Sequence, residues 1–268
     1  MMDGSPRYER PPVRSTSLTV FVEPIENFDV SMIGQLQQRW SERFPALAQT
    51  APRRRPTPLP EVDIFGSGWP LPGVEQVSSS LCRTIAYQHD QIALDWTFDA
   101  EAPDTSYPGF EVLAGELNSY FDFFADLVER WGDRPLKVQG CRCQYGNLLD
   151  DIAGADWIAN YLSDWHGVGS TRRFDDAGYL GFRLRREKKN EELGANTTTR
   201  VDIDSGRDVG ATQLDIDTLS IPLPDSPLSE KDPKEVAQLL LTDAHQRLIE
   251  AFEESSNDAM RTTWGVRQ

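Results

Sequence analysis

The clearest pattern opens the chain. Leu18, Val20 and Val22 alternate with Thr19, Phe21 and Glu23 before Pro24, a period of two that predicts a strand with one face on a core. From Ser31, a candidate N-cap, Ile33, Leu36, Trp40 and Phe44 recur at three or four residues until Pro45, as an amphipathic helix requires. The stretch 46–73 is proline-rich and carries Arg53-Arg54-Arg55, so an irregular, exposed connection is expected there. Two strands, about 76–87 and 91–98, should then pair as a hairpin through His89-Asp90.

The strongest helical signal runs from Pro108 to Trp131, with Phe110, Leu113, Leu117, Phe121, Phe124, Val128 and Trp131 in one stripe and Gly132 as terminator. A strand is expected at 136–149, where Gly140 and Gly146 suggest bulges or the close approach of another backbone. A short helix at 155–165 precedes strands at 179–188, 197–204 and 212–221. The turn 222–227 leads into a last helix at 232–255, striped by Val236, Leu240, Ala244, Leu248 and Phe252. Runs of strands separated by single helices give an α+β class, antiparallel sheet with long helices packed on one face. The chain reads as one compact unit with an irregular start at 1–11; two similar halves, 12–150 and 151–268, are a further suggestion.

Several short motifs, in their order, carry a resemblance. Pro11-Pro12-Val13 leads into a strand closing on Phe21-x-x-Pro24, then a helix closing on Phe44-Pro45. Tyr107-Pro108-Gly109-Phe110 and Tyr145-Gly146-Asn147 lie mid-chain, and Leu241-Thr242-Asp243-Ala244-His245 with Phe252 and Trp264 closes it. In these features the chain is similar to a sporadically distributed bacterial family of uncharacterised proteins. Arg14, where an acidic residue is expected, and Gln144, where arginine is expected, depart from that pattern. The resemblance implies a fold and, from patchy occurrence, a link to mobile or defence-associated gene sets; it implies no activity.

Charge narrows the partners. A net charge of -16 opposes binding to phosphate backbones and anionic membranes and favours a basic protein. The chain has no apolar run long enough to span a bilayer and no apolar signal core near its start, and three cysteines, Cys82, Cys141 and Cys143, give no disulfide framework, so the cytoplasm is expected. Cys141-x-Cys143 lacks the further ligands that zinc requires, and no metal or cofactor is expected.

The most informative constellation is Val201-Asp202-Ile203-Asp204 with Leu214-Asp215-Ile216-Asp217. In a hairpin, the alternation places Asp202, Asp204, Asp215 and Asp217 on one face, opposite an apolar underside. The bland reading is a solvated sheet face balanced by Arg183, Arg185 and Arg200. The functional reading is a non-enzymatic interaction module, antitoxin-like or immunity-like, that offers these carboxylates to a basic partner; a second copy of the chain is a further candidate partner. One alternative is an enzyme acting on a small polar ligand, with Tyr145 or His245 in a pocket between the long helix and the sheet. Another is a nucleic-acid-binding accessory using Arg53–Arg55 or Arg183–Lys189, but Glu187, Glu191 and Glu192 neutralise the second run. The sequence carries no phosphate-cradling glycine loop, nucleophile elbow or HExxH helix.

Overall fold

A computed structural model describes residues 7–8, 11–60, 71–101, 106–131, 136–150, 179–206, 211–256 and 258–267. Nine strands form one antiparallel sheet: β2 (Val13–Val22), β3 (Ala46–Thr50), β4 (Gly73–Val77), β5 (Arg83–Gln88), β6 (Gln91–Thr97), β7 (Val138–Asp150), β8 (Tyr179–Asn190), β9 (Ala195–Gly206) and β10 (Ala211–Pro222). Their spatial order is β3-β4-β5-β6-β2-β7-β10-β9-β8. Short β1 (Arg7–Tyr8) and β11 (Val266–Arg267) pair separately and clasp the two ends of the chain. Tyr8 packs there against Phe252 and Trp264.

The helices α1 (Val30–Trp40), α2 (Phe110–Trp131), α3 (Pro233–Ser255) and α4 (Asp258–Trp264) complete the α+β fold expected from the sequence. α2 lies over β6 and β2, and α3 lies over β7, β10 and β9. Their stripes are buried as expected, except that Trp131 ends on the surface, 47% exposed. The cap of α1 is Asp29, whose carboxylate accepts the Ser31 and Met32 N–H groups; Ser31 lies inside the helix. No helix among the described residues is long and apolar enough to cross a membrane.

Two expectations need correction. The strand expected at 76–87 is two strands, β4 and β5, broken by a turn at Ser78–Cys82, where Leu81 takes a left-handed φ of 61°. The segment from 46 is irregular and exposed only in part. Residues 46–50 form an edge strand, and 51–60 make a strap across the face of the sheet opposite the helices. Arg55 lies beneath it beside Asp90, both almost fully buried, and Leu59 packs on Phe21 and Leu219. The helix expected at 155–165 and the loop at 207–210 lie outside the described residues.

One regularity governs the sheet. The unit β2, then β4-β5-β6, then α2 recurs as β7, then β8-β9-β10, then α3. In each unit the first strand pairs with the last strand of the following meander, β2 with β6 and β7 with β10. The two first strands then pair antiparallel at the centre, Leu18 opposite Cys143 and Val20 opposite Cys141. Both units belong to one sheet.

Candidate interaction face

On β9 and β10, Val201, Ile203, Leu214 and Ile216 are buried beneath α3, and the intervening aspartates take the opposite face. The hairpin register sets Asp215 directly opposite Asp202, Asp217 opposite Arg200, and Asp204 opposite Gln213. The four aspartates thus share the open face, as the alternation requires, but not as a bare anionic surface.

Asp202 holds two cations: Arg183 donates through Nε at 2.6 Å, and the Arg200 Nε stands 3.0 Å away. Asp217 receives a two-pronged contact from Arg142 on β7, at 2.6 and 2.7 Å, and Arg200 approaches it at 3.6 Å. Forked arginine contacts of this kind are directional and stronger than a lysine point charge. Arg142 escaped the sequence reading, although the inward Cys141-x-Cys143 alternation already put residue 142 on the other face.

Asp215 differs from its neighbours. Among the described residues its carboxylate accepts only from Gln213, at 2.9 Å, and no lysine or arginine nitrogen lies within 4.0 Å, though the Arg200 charge acts on it from farther away. Burial lifts its pKa, Gln213 opposes that shift, and the charges of Asp202 and Asp204 add to it. Like charges set directly across a strand pair destabilise the pair, so Asp202 facing Asp215 opposes folding stability. Beside Asp215 on β7 stands Gly146; a Cβ there would come within 2.5 Å of the Ser15 hydroxyl oxygen and 3.2 Å of the Asp215 carboxylate. Only glycine leaves that space open.

The second candidate pair comes together differently. Tyr145 and His245 lie with ring centroids 6.0 Å apart, between sheet and α3. The Tyr145 hydroxyl meets that of Tyr107 at 2.5 Å, and the His245 ring stacks on Phe110 at 3.6 Å. Tyr145 is buried, and burial holds its phenol, like that of Tyr107, above the ordinary tyrosine range, so both stay protonated at neutral pH. A small pocket lies elsewhere, by Thr50, Arg53, Gly73 and Gln88; its volume of about 10 Å³ suits one water molecule.

The remaining candidates are absorbed by structure. Arg53 bridges Glu75 and Asp95, Arg186 pairs with Glu254, and Lys188 pairs with Glu250 on α3, so both basic runs meet carboxylates. Cys82, Cys141 and Cys143 are buried free thiols, and burial raises the last two. The described residues include no cluster of three or more potential metal ligands. Asp243, next to the singled-out His245, is a buried anchor: it accepts from Asn190 at 2.7 Å, from Ser220 at 2.7 Å and from Thr197, tying α3 to β8, β9 and β10. No family model, curated protein or solved structure matches this chain.

Proposed function

We propose that the protein is a non-enzymatic, cytoplasmic interaction module, of antitoxin-like or immunity-like kind, that receives a basic protein on the open face of β9 and β10. The observation that carries this reading is Asp215. It is a half-buried carboxylate, set opposite another carboxylate, with no cation within 4.0 Å among the described residues, where Asp202 and Asp217 each have two. A partner's guanidinium or ammonium at that position relieves the repulsion and completes the alternation of charge. The overall charge of -16 adds long-range attraction for a basic protein and speeds its encounter.

The small-ligand enzyme built on Tyr145 and His245 has less support, because both rings are engaged in packing and the phenol is held protonated. Nucleic-acid binding has less still, since most of the arginines it would use, among them Arg53, Arg55, Arg183 and Arg186, are paired with carboxylates. Affinity capture from the native host, with mass spectrometry, tests the reading. The unaltered protein should retain a basic protein at low salt and release it as salt rises, and Asp215→Asn should retain far less. Equal recovery by both at every salt concentration overturns the reading.

A further inference from the structure

The strap leaves the end of β3 over a floor of small residues. Arg53 reaches Glu75 on β4 from the strap, so the row of Glu75 faces the strap, and Ala86 and Ala93 continue that row across β5 and β6. Gly73, the register partner of Thr50, is buried beside them. Gly73, Ala86 and Ala93 line one small pocket together with Thr50, Arg53 and Gln88. Its volume of about 10 Å³ is close to that of one water-sized sphere.

The same residues bring three oxygens to one point. An atom at the position of a Cβ on Gly73 lies 3.0 Å from Thr50 Oγ1, 3.3 Å from the Ala51 carbonyl oxygen and 3.5 Å from Gln88 Oε1. The Gln88 amide is oriented by its other bonds. Its Nε2 donates to the Arg53 carbonyl at 3.0 Å and to Asp90 at 2.7 Å, which uses both amide hydrogens. Its Oε1 accepts the Arg53 N–H at 2.8 Å and keeps a second lone pair. Thr50 Oγ1 is buried and has no hydrogen-bond partner among the described residues, a costly arrangement for a hydroxyl unless a further molecule serves it.

We propose that this point is the binding site of one resident water molecule. The water accepts a hydrogen bond from the Thr50 hydroxyl and donates to the Ala51 carbonyl and to Gln88 Oε1. About three hydrogen bonds is the usual complement of a buried water. The chemistry selects a neutral molecule that both donates and accepts: two carbonyl-type oxygens disfavour an anion, and Arg53 in the lining disfavours a cation. By joining the last residue of β3, the first residue of the strap and Gln88 on β5, the water fixes the direction in which the strap leaves the sheet. That direction sets Arg53 between Glu75 and Asp95. Residue 73 is glycine because a methyl group there takes the place of the water.

A high-resolution crystal structure of the unaltered protein should show one ordered water within hydrogen-bond distance of all three oxygens. In solution, magnetic relaxation dispersion of the water signal should lose one long-lived molecule in Gly73→Ala. Thr50→Val removes the donor and should speed hydrogen exchange of the Arg53 amide about tenfold, the equivalent of one net hydrogen bond, whereas Thr50→Ser should exchange like the unaltered protein. Three results overturn the proposal: a crystal with no water or with an ion at this point, an unchanged dispersion amplitude in Gly73→Ala, or Arg53 exchange in Thr50→Val equal to that of the unaltered protein. If Gly73→Ala does not fold, the crystal structure and the two threonine variants decide it.

Discussion

Replacing Arg55 with methionine should destabilise the protein by about 3 kcal/mol, although the residue sits in a proline-rich connection. Arg55 and Asp90 are 3% and 2% exposed as side chains, with Nε 3.5 Å from the carboxylate. Arg55 also donates to the Val22 carbonyl at 3.1 Å and to Gln139 at 2.6 Å. Methionine keeps much of the apolar stem but leaves Asp90 charged, buried and served by Gln88 alone at 2.7 Å. Breaking a buried pair from one side typically costs about 3–5 kcal/mol, whereas replacing both partners is far cheaper. The lower end applies here because Gln88 still serves the carboxylate.

The double variant Arg55→Met with Asp90→Asn should therefore recover about 2 kcal/mol of the single variant's loss. Urea unfolding, followed by tryptophan fluorescence and far-ultraviolet circular dichroism, measures both without altering ionic strength. A single-variant loss under about 1 kcal/mol, typical of a surface ion pair, refutes the reasoning and returns the strap to solvent. Strict additivity of the two substitutions also refutes it.

Asp243→Ala should cost about 3 kcal/mol in the same assay, because it leaves the donors of Asn190, Thr197 and Ser220 without their acceptor; a loss below about 1 kcal/mol contradicts that anchoring role. Asp215→Asn should leave the neutral-pH Tm unchanged or raise it: its carboxyl pKa is raised in the fold, so the charged form opposes folding at neutral pH and that cost lifts as pH falls through the folded value. A clear fall in Tm opposes this. Tyr87, Tyr107 and Tyr145 have raised pKa values, so their stabilising contribution is full below about pH 10 and is lost as pH rises above it. Tyrosinate absorbance from these residues should therefore appear together with loss of circular dichroism; complete titration of all seven tyrosines near pH 10 in a folded protein would contradict their burial. The three thiols should resist a thiol reagent in the native state and react after denaturation, and rapid native labelling of Cys141 or Cys143 would contradict their placement.

Periodicity made most of the fold legible. The stripes of α2 and α3 and the alternation on β9 and β10 are local consequences of burying one face, and the sequence displays them directly. The strap was hidden because proline content reports the absence of regular backbone pairing, while Arg53, Arg55 and Leu59 anchor it through side chains to strands far along the chain. Asp90 reads as a turn residue for the same reason: its burial is created by Arg55, 35 positions earlier. The turn dividing β4 from β5 carries neither glycine nor proline, and its run Ser78-Ser79-Ser80 was the available signal. At the interaction face, the direction of the four aspartates was legible and their partners were not. Which carboxylate meets Arg142, Arg183 or Arg200 depends on the registers of β7, β8, β9 and β10.

The most direct measurement is a carboxyl footprint of the captured complex, using carbodiimide coupling to glycine ethyl ester and peptide mapping against the free protein. If β9 and β10 form the docking face, labelling at Asp204 and Asp215 should drop in the complex, while exposed Asp126, Glu129 and Glu235 on the helical side stay as reactive as in the free protein. Protection of the helical carboxylates with Asp204 and Asp215 unchanged would place the partner on the other layer and contradict the account.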